Sequence, residues 1–438
     1  MRIRAAITAL AIVASIVIAP MSRAEAAPGP PSAPEWWFDS WNVPSLWTQG
    51  ADGRGILIAE IDSGVNASLP QLAGRILAGT DYGPKGGDGR TDHELDPFGH
   101  GTAMASLMVA TAGPFGIEGL APSARILPIA VPLAGTDDAG GDDHLADAIR
   151  YAVDHGAKII NMSIGEERDP SSEPLPCSPD EQLAITYAVS KGAIVLAAGG
   201  NSATASSPVE DPGVCVGVLS VGAVDSSGQV ASFSSRHRYT ALVAPGVNIP
   251  TLGKIAGTAY HGEGTSQATA IASAAVALVW SKFPELTNKQ VLARVFGSLD
   301  NPRSSRDPAY GFGEINPYRA ITAIVADTAS EPIISAVQPF IALQNARGSA
   351  APPAPAPAKT AGAPPGEYGV AAAPGRMTSK VILAAIAAGV ALVGLLALLI
   401  RARAAKPVQR ADHAAQRGLD DRFTDAHTPQ HSLPDLDL

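Results

Sequence analysis

The chain has 438 residues, 46% of them hydrophobic, enough to bury the core of one large domain or two average ones. Its 31 basic and 41 acidic residues leave a formal charge of −10, and no basic run lies between the two ends. A protein built to neutralise phosphates needs the opposite, which excludes nucleic acid as a partner, and two cysteines without a Cys-x-x-Cys pair or a Cys/His cluster exclude a zinc module.

At the N-terminus, Arg2 and Arg4 precede an apolar run from Ala5 to Ala19 and a small-x-small site at Ala24-Glu25-Ala26. This is the pattern of an export signal over residues 1–26, cut near Ala26 or Ala27. An uncleaved anchor is the other reading, against which Pro20 and the polar Ser22-Arg23 argue. Residues 27–52 are Pro-rich and then Trp-rich, with Trp36, Trp37, Trp41 and Trp47 close together. Exposed indoles are costly, so this segment is expected to wrap the domain that follows.

From 53 to 325, strand-like apolar runs (Gly55–Ile61, Arg125–Val131, Ala157–Met162, Ala193–Ala198, Val216–Val221) alternate with helical patterns (Gly101–Val109, Asp142–Asp154, Asp180–Ser190, Ser266–Trp280, Asn288–Phe296). The alternation predicts an α/β domain, a mainly parallel sheet with helices on both faces. In such sheets, sites form at the carboxyl ends of the strands.

Residues 326–378 read as a linker, and their Ala/Pro-rich centre, Ala350–Pro374, as a stiff spacer. Residues 379–400 read as a transmembrane helix. The uncharged run from Val381 to Ile400 is about 20 residues, or ~30 Å, the thickness of a hydrocarbon core. Arg401, Arg403, Lys406 and Arg410 follow it, against Arg376 and Lys380 before it, so the tail 401–438 belongs in the cytoplasm and the body outside. In an exported chain Cys177 and Cys215 are expected to pair, closing a loop worth roughly 4 kcal/mol in a chain-entropy treatment; two inert thiols are the alternative.

Three short motifs carry the chemistry. Ile58-Ala59-Glu60-Ile61-Asp62-Ser63-Gly64 places an acid at the end of a strand. Gly99-His100-Gly101-Thr102-Ala103 places a histidine between glycines at a helix start, and Gly264-Thr265-Ser266-Gln267-Ala268 opens a long small-residue helix on a serine. A serine hydroxyl becomes a nucleophile when an imidazole takes its proton, and a buried carboxylate must hold that imidazole in the right tautomer. A fourth segment, Leu196-Ala197-Ala198-Gly199-Gly200-Asn201-Ser202, ends a strand on an amide suited to donate to an oxyanion, with the Ser266 N–H as second donor. Two competing assignments stay open: a metal site from His93, Asp96 and His100, and His261 as the base.

The order Asp, His, Ser, in Asp-Ser-Gly, Gly-His-Gly-Thr and Gly-Thr-Ser-x-Ala settings, resembles the subtilase family over about residues 53–325. The resemblance implies a three-layer subtilisin-like fold and a serine endopeptidase with Asp62, His100 and Ser266 as triad and Asn201 as oxyanion donor. It also implies a substrate cleft walled by Ser163, Ile164 and Gly165 on one side and Gly140 and Gly141 on the other, with Ala197, Ala198 and Gly199 bordering the pocket for the residue before the cut. No cofactor is required by the resemblance; many subtilases bind calcium, and the acidic pairs Asp137-Asp138 and Asp142-Asp143, the one such cluster in the sequence, read either as part of a structural calcium site or as solvated turns.

The export signal, spacer, membrane helix and short tail further resemble the mycosins, the membrane-anchored subtilases of type-seven secretion systems. That branch implies a protein or peptide substrate and membrane subunits of a secretion complex as partners, with a loop insertion at 166–180. Residues 27–52 are too few for a folding prodomain, so no self-cleavage is expected. A structural subunit that stabilises the complex is a rival function. An esterase is another, disfavoured by the absence of a Gly-x-Ser-x-Gly elbow around Ser266. Glu60 departs from the family, which carries an apolar residue there. Strand alternation sets it on the face of Asp62, where it must be protonated or hydrogen-bonded.

Overall fold

The computed structural model describes residues 35–137, 144–168, 177–203, 209–325 and 331–349. The segments expected to be the export signal, the Ala/Pro spacer, the membrane helix 379–400 and the cytoplasmic tail lie outside them, as do Gly140 and Gly141.

In chain order the elements are α1 (Trp36–Ser40), α2 (Val43–Thr48), β1 (Leu57–Asp62), β2 (Thr80–Asp81), α3 (His100–Val109), β3 (Arg125–Ala130), α4 (Leu145–Asp154), β4 (Ile159–Met162) and β5 (Glu166–Arg168). There follow α5 (Pro179–Ser190), β6 (Ile194–Ala198), β7 (Val209–Asp211), β8 (Val218–Val224), β9 (Thr240–Pro245), β10 (Ile249–Leu252) and β11 (Ala259–Gly262). The chain then enters α6 (Thr265–Lys282), α7 (Asn288–Phe296), α8 (Pro317–Thr322) and α9 (Pro332–Ser349).

Seven strands form one sheet in the order β2-β3-β1-β4-β6-β8-β9, and every pairing in it is parallel. Helices cover both faces, which is why these strands read as near-continuous apolar runs: β6, β8 and β9 are buried along their whole length. Helices α3 and α6 pack on each other and on one face, α4 and α5 on each other and on the opposite face. The small residues of α6 (TSQATAIASAAVALVWSK) follow from its position: it packs against β4, β6, β8 and β9 and is buried on all sides from Gln267 to Trp280. A capping box at Thr287 and Gln290 starts α7.

The chain leaves β1 for β3 on one side and returns through β4 on the other, so β1 is the switch point of the sheet. Connections diverge there and leave a crevice beyond the carboxyl ends of β1 and β4. Asp62 ends β1, and Ser163 follows β4.

Before the sheet, α1 and α2 lay their indoles on the domain: Trp37 and Trp41 are buried, and Trp47 Nε1 donates to the Leu120 carbonyl at 3.0 Å. Burial pushes Glu35, at the start of this segment, up to about 8 although its carboxylate accepts from the Glu118 N–H at 3.4 Å.

The expected linker 326–378 needs correction at its start. Helix α9 lies inside it and packs on α5, burying Ile333, Ile334 and Val337. These side chains recur at helical spacing, and Glu331 caps the helix by accepting from the Ile334 and Ser335 N–H groups. The folded domain therefore runs past 325. The hairpin β10–β11 and the antiparallel ribbon β5–β7 also go beyond the strands expected from sequence. Among the described residues no helix is long and apolar enough to cross a membrane.

Candidate active site

Three segments meet at the crevice. Asp62 is fully buried at the end of β1, and its Oδ1 accepts from the Ser63 N–H at 2.7 Å. His100, the first residue of α3, directs Nδ1 at both carboxylate oxygens, 2.8 Å from Oδ1 and 3.0 Å from Oδ2. A second carboxylate, Asp92, ties the two segments together. It accepts from the Ser63 hydroxyl at 3.0 Å, from the Thr102 N–H at 2.9 Å and from the Thr102 hydroxyl at 2.5 Å. The glycines of both motifs are explained by this closeness. A Cβ on Gly101 would sit 2.2 Å from the Gly64 carbonyl oxygen, and Gly64 itself adopts φ +91° with a Cβ position 2.0 Å from the Thr91 oxygen.

Ser266 lies in the first turn of α6, where its backbone N–H is left free by the helix. The start of α6 is pinned to the end of β4: the Ser163 hydroxyl donates to the Ser266 carbonyl at 3.0 Å, and the Ser266 hydroxyl donates to the Ser163 carbonyl at 2.7 Å. Asn161 supports this joint, donating to the Ser163 hydroxyl and accepting from that of Ser273. Asn201 follows β6, and its Oδ1 accepts from the Thr265 N–H at 2.8 Å and the Thr265 hydroxyl at 3.1 Å. With the oxygen so occupied, the Nδ2 donor is presented to the cavity.

His100, Ser163, Ile164, Gly165, Ala198, Gly200, Asn201, Thr265 and Ser266 line one cavity of about 400 Å³. Ala197 is buried beneath it, and the Gly199 N–H pairs with the Val221 carbonyl, so of the three pocket residues expected there only Ala198 reaches the wall. The two competing assignments are not supported by position. His93 is held by Asp81 at 2.9 Å and Asp137 at 3.1 Å, Asp96 accepts from the Phe98 N–H, and His261 pairs with Asn248 outside the cavity. Glu94, Leu133, Ala134, Glu167, Ser202 and Glu210 also line the cavity. Apart from Ser202, which follows Asn201 in its motif, no motif marked them in the sequence, because they reach the site by tertiary contact alone.

The electrostatics follow from burial. Desolvation acts to lower the pKa of His100, but the charge and hydrogen bond of Asp62, with Glu94 and Asp92 behind it, raise it to about 9. Glu60 is 1% exposed, and neither carboxyl oxygen has a hydrogen-bond partner. Burial first, then the charges of Asp62 and Asp92, push its pKa well above the ordinary value. Of the two forms expected for Glu60, its burial therefore favours the protonated one. Cys177 and Cys215 form a disulfide. Glu181 and Asp211 lie beside it, but sulfurs bonded to each other are not thiolate ligands, so the group is not a metal site.

Residues 53–313 match the family model described as "Subtilase family". The thermophilic serine proteinase of Bacillus sp. (strain AK1) is 33% identical over 288 residues, which cover 65% of this chain and 64% of that protein. The chain thus spans somewhat less than two thirds of that relative's length. Among solved structures, the MycP3 protease from the type VII (ESX-3) secretion system superposes with a TM-score of 0.58 at 30% identity, covering 68% of this chain and 90% of that one. A chain from the periplasmic assembly of the ESX-5 inner membrane complex gives a TM-score of 0.59 at 28% identity, covering 70% and 88%. The MycP3 neighbour is a mycosin of a type-seven secretion system. With a family match over more than half its length, laid on a parallel sheet whose switch point gathers the Asp, His and Ser motifs, the chain belongs to the subtilase family.

Proposed function

We propose that this chain is a serine endopeptidase acting outside the cytoplasmic membrane, anchored there by residues 379–400. The observation that carries the peptidase assignment is a histidine hydrogen-bonded to a fully buried carboxylate and sharing one cavity with a helix-start serine. Ser266 attacks the peptide carbonyl while His100 Nε2 takes its proton. Asp62 holds Nδ1–H and stabilises the imidazolium. The attacking hydroxyl must first leave the Ser163 carbonyl by rotating about its Cα–Cβ bond. The tetrahedral oxyanion is met by the Ser266 N–H and Asn201 Nδ2, and the collapse that expels the amine draws its proton back from His100. The acyl-enzyme is then hydrolysed by water activated in the same way.

Anchoring is supported by the apolar run and the basic cluster behind it. Membership of a secretion complex is supported by the likeness to the ESX-5 assembly chain, and a structural role there is a second reading with the same support. A fluorophosphonate probe tests the chemistry. The full-length protein in membranes should carry the adduct on Ser266, and Ser266→Ala should lose both adduct and peptide cleavage. An adduct elsewhere, or cleavage surviving the substitution, would refute the assignment. Recovery of the Ser266→Ala protein in an intact membrane complex would support the structural role beside it.

A further inference from the structure

The cavity that holds Ser266 carries more acid than the relay uses. In the ribbon β5–β7 the register places Glu167 directly opposite Glu210, with Glu166 opposite Asp211 and Arg168 opposite Val209. Residues opposite each other in an antiparallel pair share a face, and like charges in that position destabilise the pairing. Both carboxyls line the cavity, together with Asn201 and Ser266. The Glu210 carboxyl is 3% exposed as a residue and lies between two stretches of bare backbone. Its Oε1 is 2.3 Å from where a Cβ on Gly200 would stand, and its Oε2 is 3.0 Å from where one on Gly165 would stand. Two positions without side chains are thus filled by one carboxyl. Burial, then the charge of Glu167, raises the Glu210 pKa to about 7.

Among the described residues that line the cavity, this arrangement has no counter-charge. No lysine or arginine is among the described residues that line the cavity, and the stretches 138–143, 169–176 and 204–208 contain none in sequence. Glu167 accepts from the Ser202 hydroxyl, a neutral donor. The geometry between Ser163–Gly165 and Ala198–Asn201 is that of a slot open toward Ser266. An acyl group held at Ser266 and Asn201 would send the side chain before the cut into it.

We propose that Glu210, with Glu167 opposite it, makes this slot select a cationic side chain, lysine or arginine, as the residue before the scissile bond. The inference rests on the serine-peptidase assignment of the same cavity. The ammonium or guanidinium of the substrate supplies the charge that the paired carboxyls lack, and the surrounding backbone excludes water from the ion pair.

The test uses peptide diphenyl phosphonates that differ only in the residue next to phosphorus, arginine or leucine, on the full-length membrane protein. Rates of Ser266 labelling read selectivity without turnover. The arginine probe should react faster by on the order of 100-fold, the range of a desolvated ion pair. Glu210→Gln should collapse that ratio to within a few-fold, with Glu167→Gln having a smaller effect in the same direction. The ratio of two rates on one variant is independent of how much of it folds. A wild-type ratio near one, or faster reaction with leucine, overturns the proposal and leaves the peptidase assignment standing. A ratio unchanged by Glu210→Gln overturns the role of Glu210. If a small fluorophosphonate also fails to label Ser266, the peptidase assignment falls, and this inference falls with it.

Discussion

Asp62 and Glu210 are both carboxyl groups buried in one site, and they are treated oppositely. Asp62 is met by the Ser63 N–H and by His100, and its neighbour Asp92 by three further donors from Ser63 and Thr102. Glu210 is met by the empty faces of two glycines and by another carboxylate across the ribbon. A charge with its donors already in place serves chemistry within the protein, since nothing must reorganise when the imidazolium forms. A charge left without a partner is suited to a partner that arrives. Glu60 is a third case, two residues from Asp62 on the same strand, without a hydrogen-bond partner or access to solvent, where burial favours the protonated form.

The largest effect should come from breaking the satisfied side. Asp62→Asn keeps the shape but favours the wrong imidazole tautomer, and kcat should fall by about 10⁴-fold. A loss under tenfold would mean that the bond between Asp62 and His100 does not matter for turnover. Removing the amide that faces the oxyanion, in Asn201→Ala, should lower kcat by roughly 100- to 1000-fold with little change in KM. An equal rise in KM would assign Asn201 to ground-state binding instead.

Glu60 offers the sharper contrast, because its cost falls on stability. A carboxyl whose folded pKa is raised keeps a proton that the unfolded chain releases. Stability is therefore lost as pH rises from the ordinary value of 4.5 toward the folded pKa. Glu60→Val should stabilise the domain at neutral pH by roughly 1–3 kcal/mol, the range for an unsatisfied buried polar group, and should flatten the alkaline slope. Denaturant midpoints at two pH values would show it, and equal midpoints in both proteins would mean that Glu60 is solvated or bonded after all.

The smallest shift concerns the base. His100 must be neutral to accept a proton, so kcat/KM should rise with pH along a limb set by its pKa of about 9. Glu94→Gln removes a negative charge that favours the imidazolium, so the limb should move to lower pH and activity at neutral pH should increase. A limb that stays in place would remove Glu94 from the electrostatics of the relay.

Asp62, His100, Ser266 and Asn201 were legible because the chemistry constrains their neighbours as well. The glycines beside them mark close backbone approach, and the apolar runs before Asp62 and Asn201 mark strands that end at the crevice. Glu94, Glu167 and Glu210 were not legible. A short polar segment forms a ribbon only when its partner is brought alongside, and β5 and β7 are separated by α5 and β6. Helix α9 was missed for a related reason, since its few buried side chains lie in a stretch whose neighbours read as spacer.

By itself the sequence determined the alternating pattern that makes a parallel sheet, the residue types at the ends of its strands, and the charge and hydropathy of the two chain ends. Those are local properties, written in periodicity and in the backbone freedom of glycine. Only the tertiary structure decided which carboxyls receive donors, which are left to face a cavity, and which must hold a proton. The energy of a buried charge depends on what surrounds it in space, and those surroundings come from segments far apart in the chain.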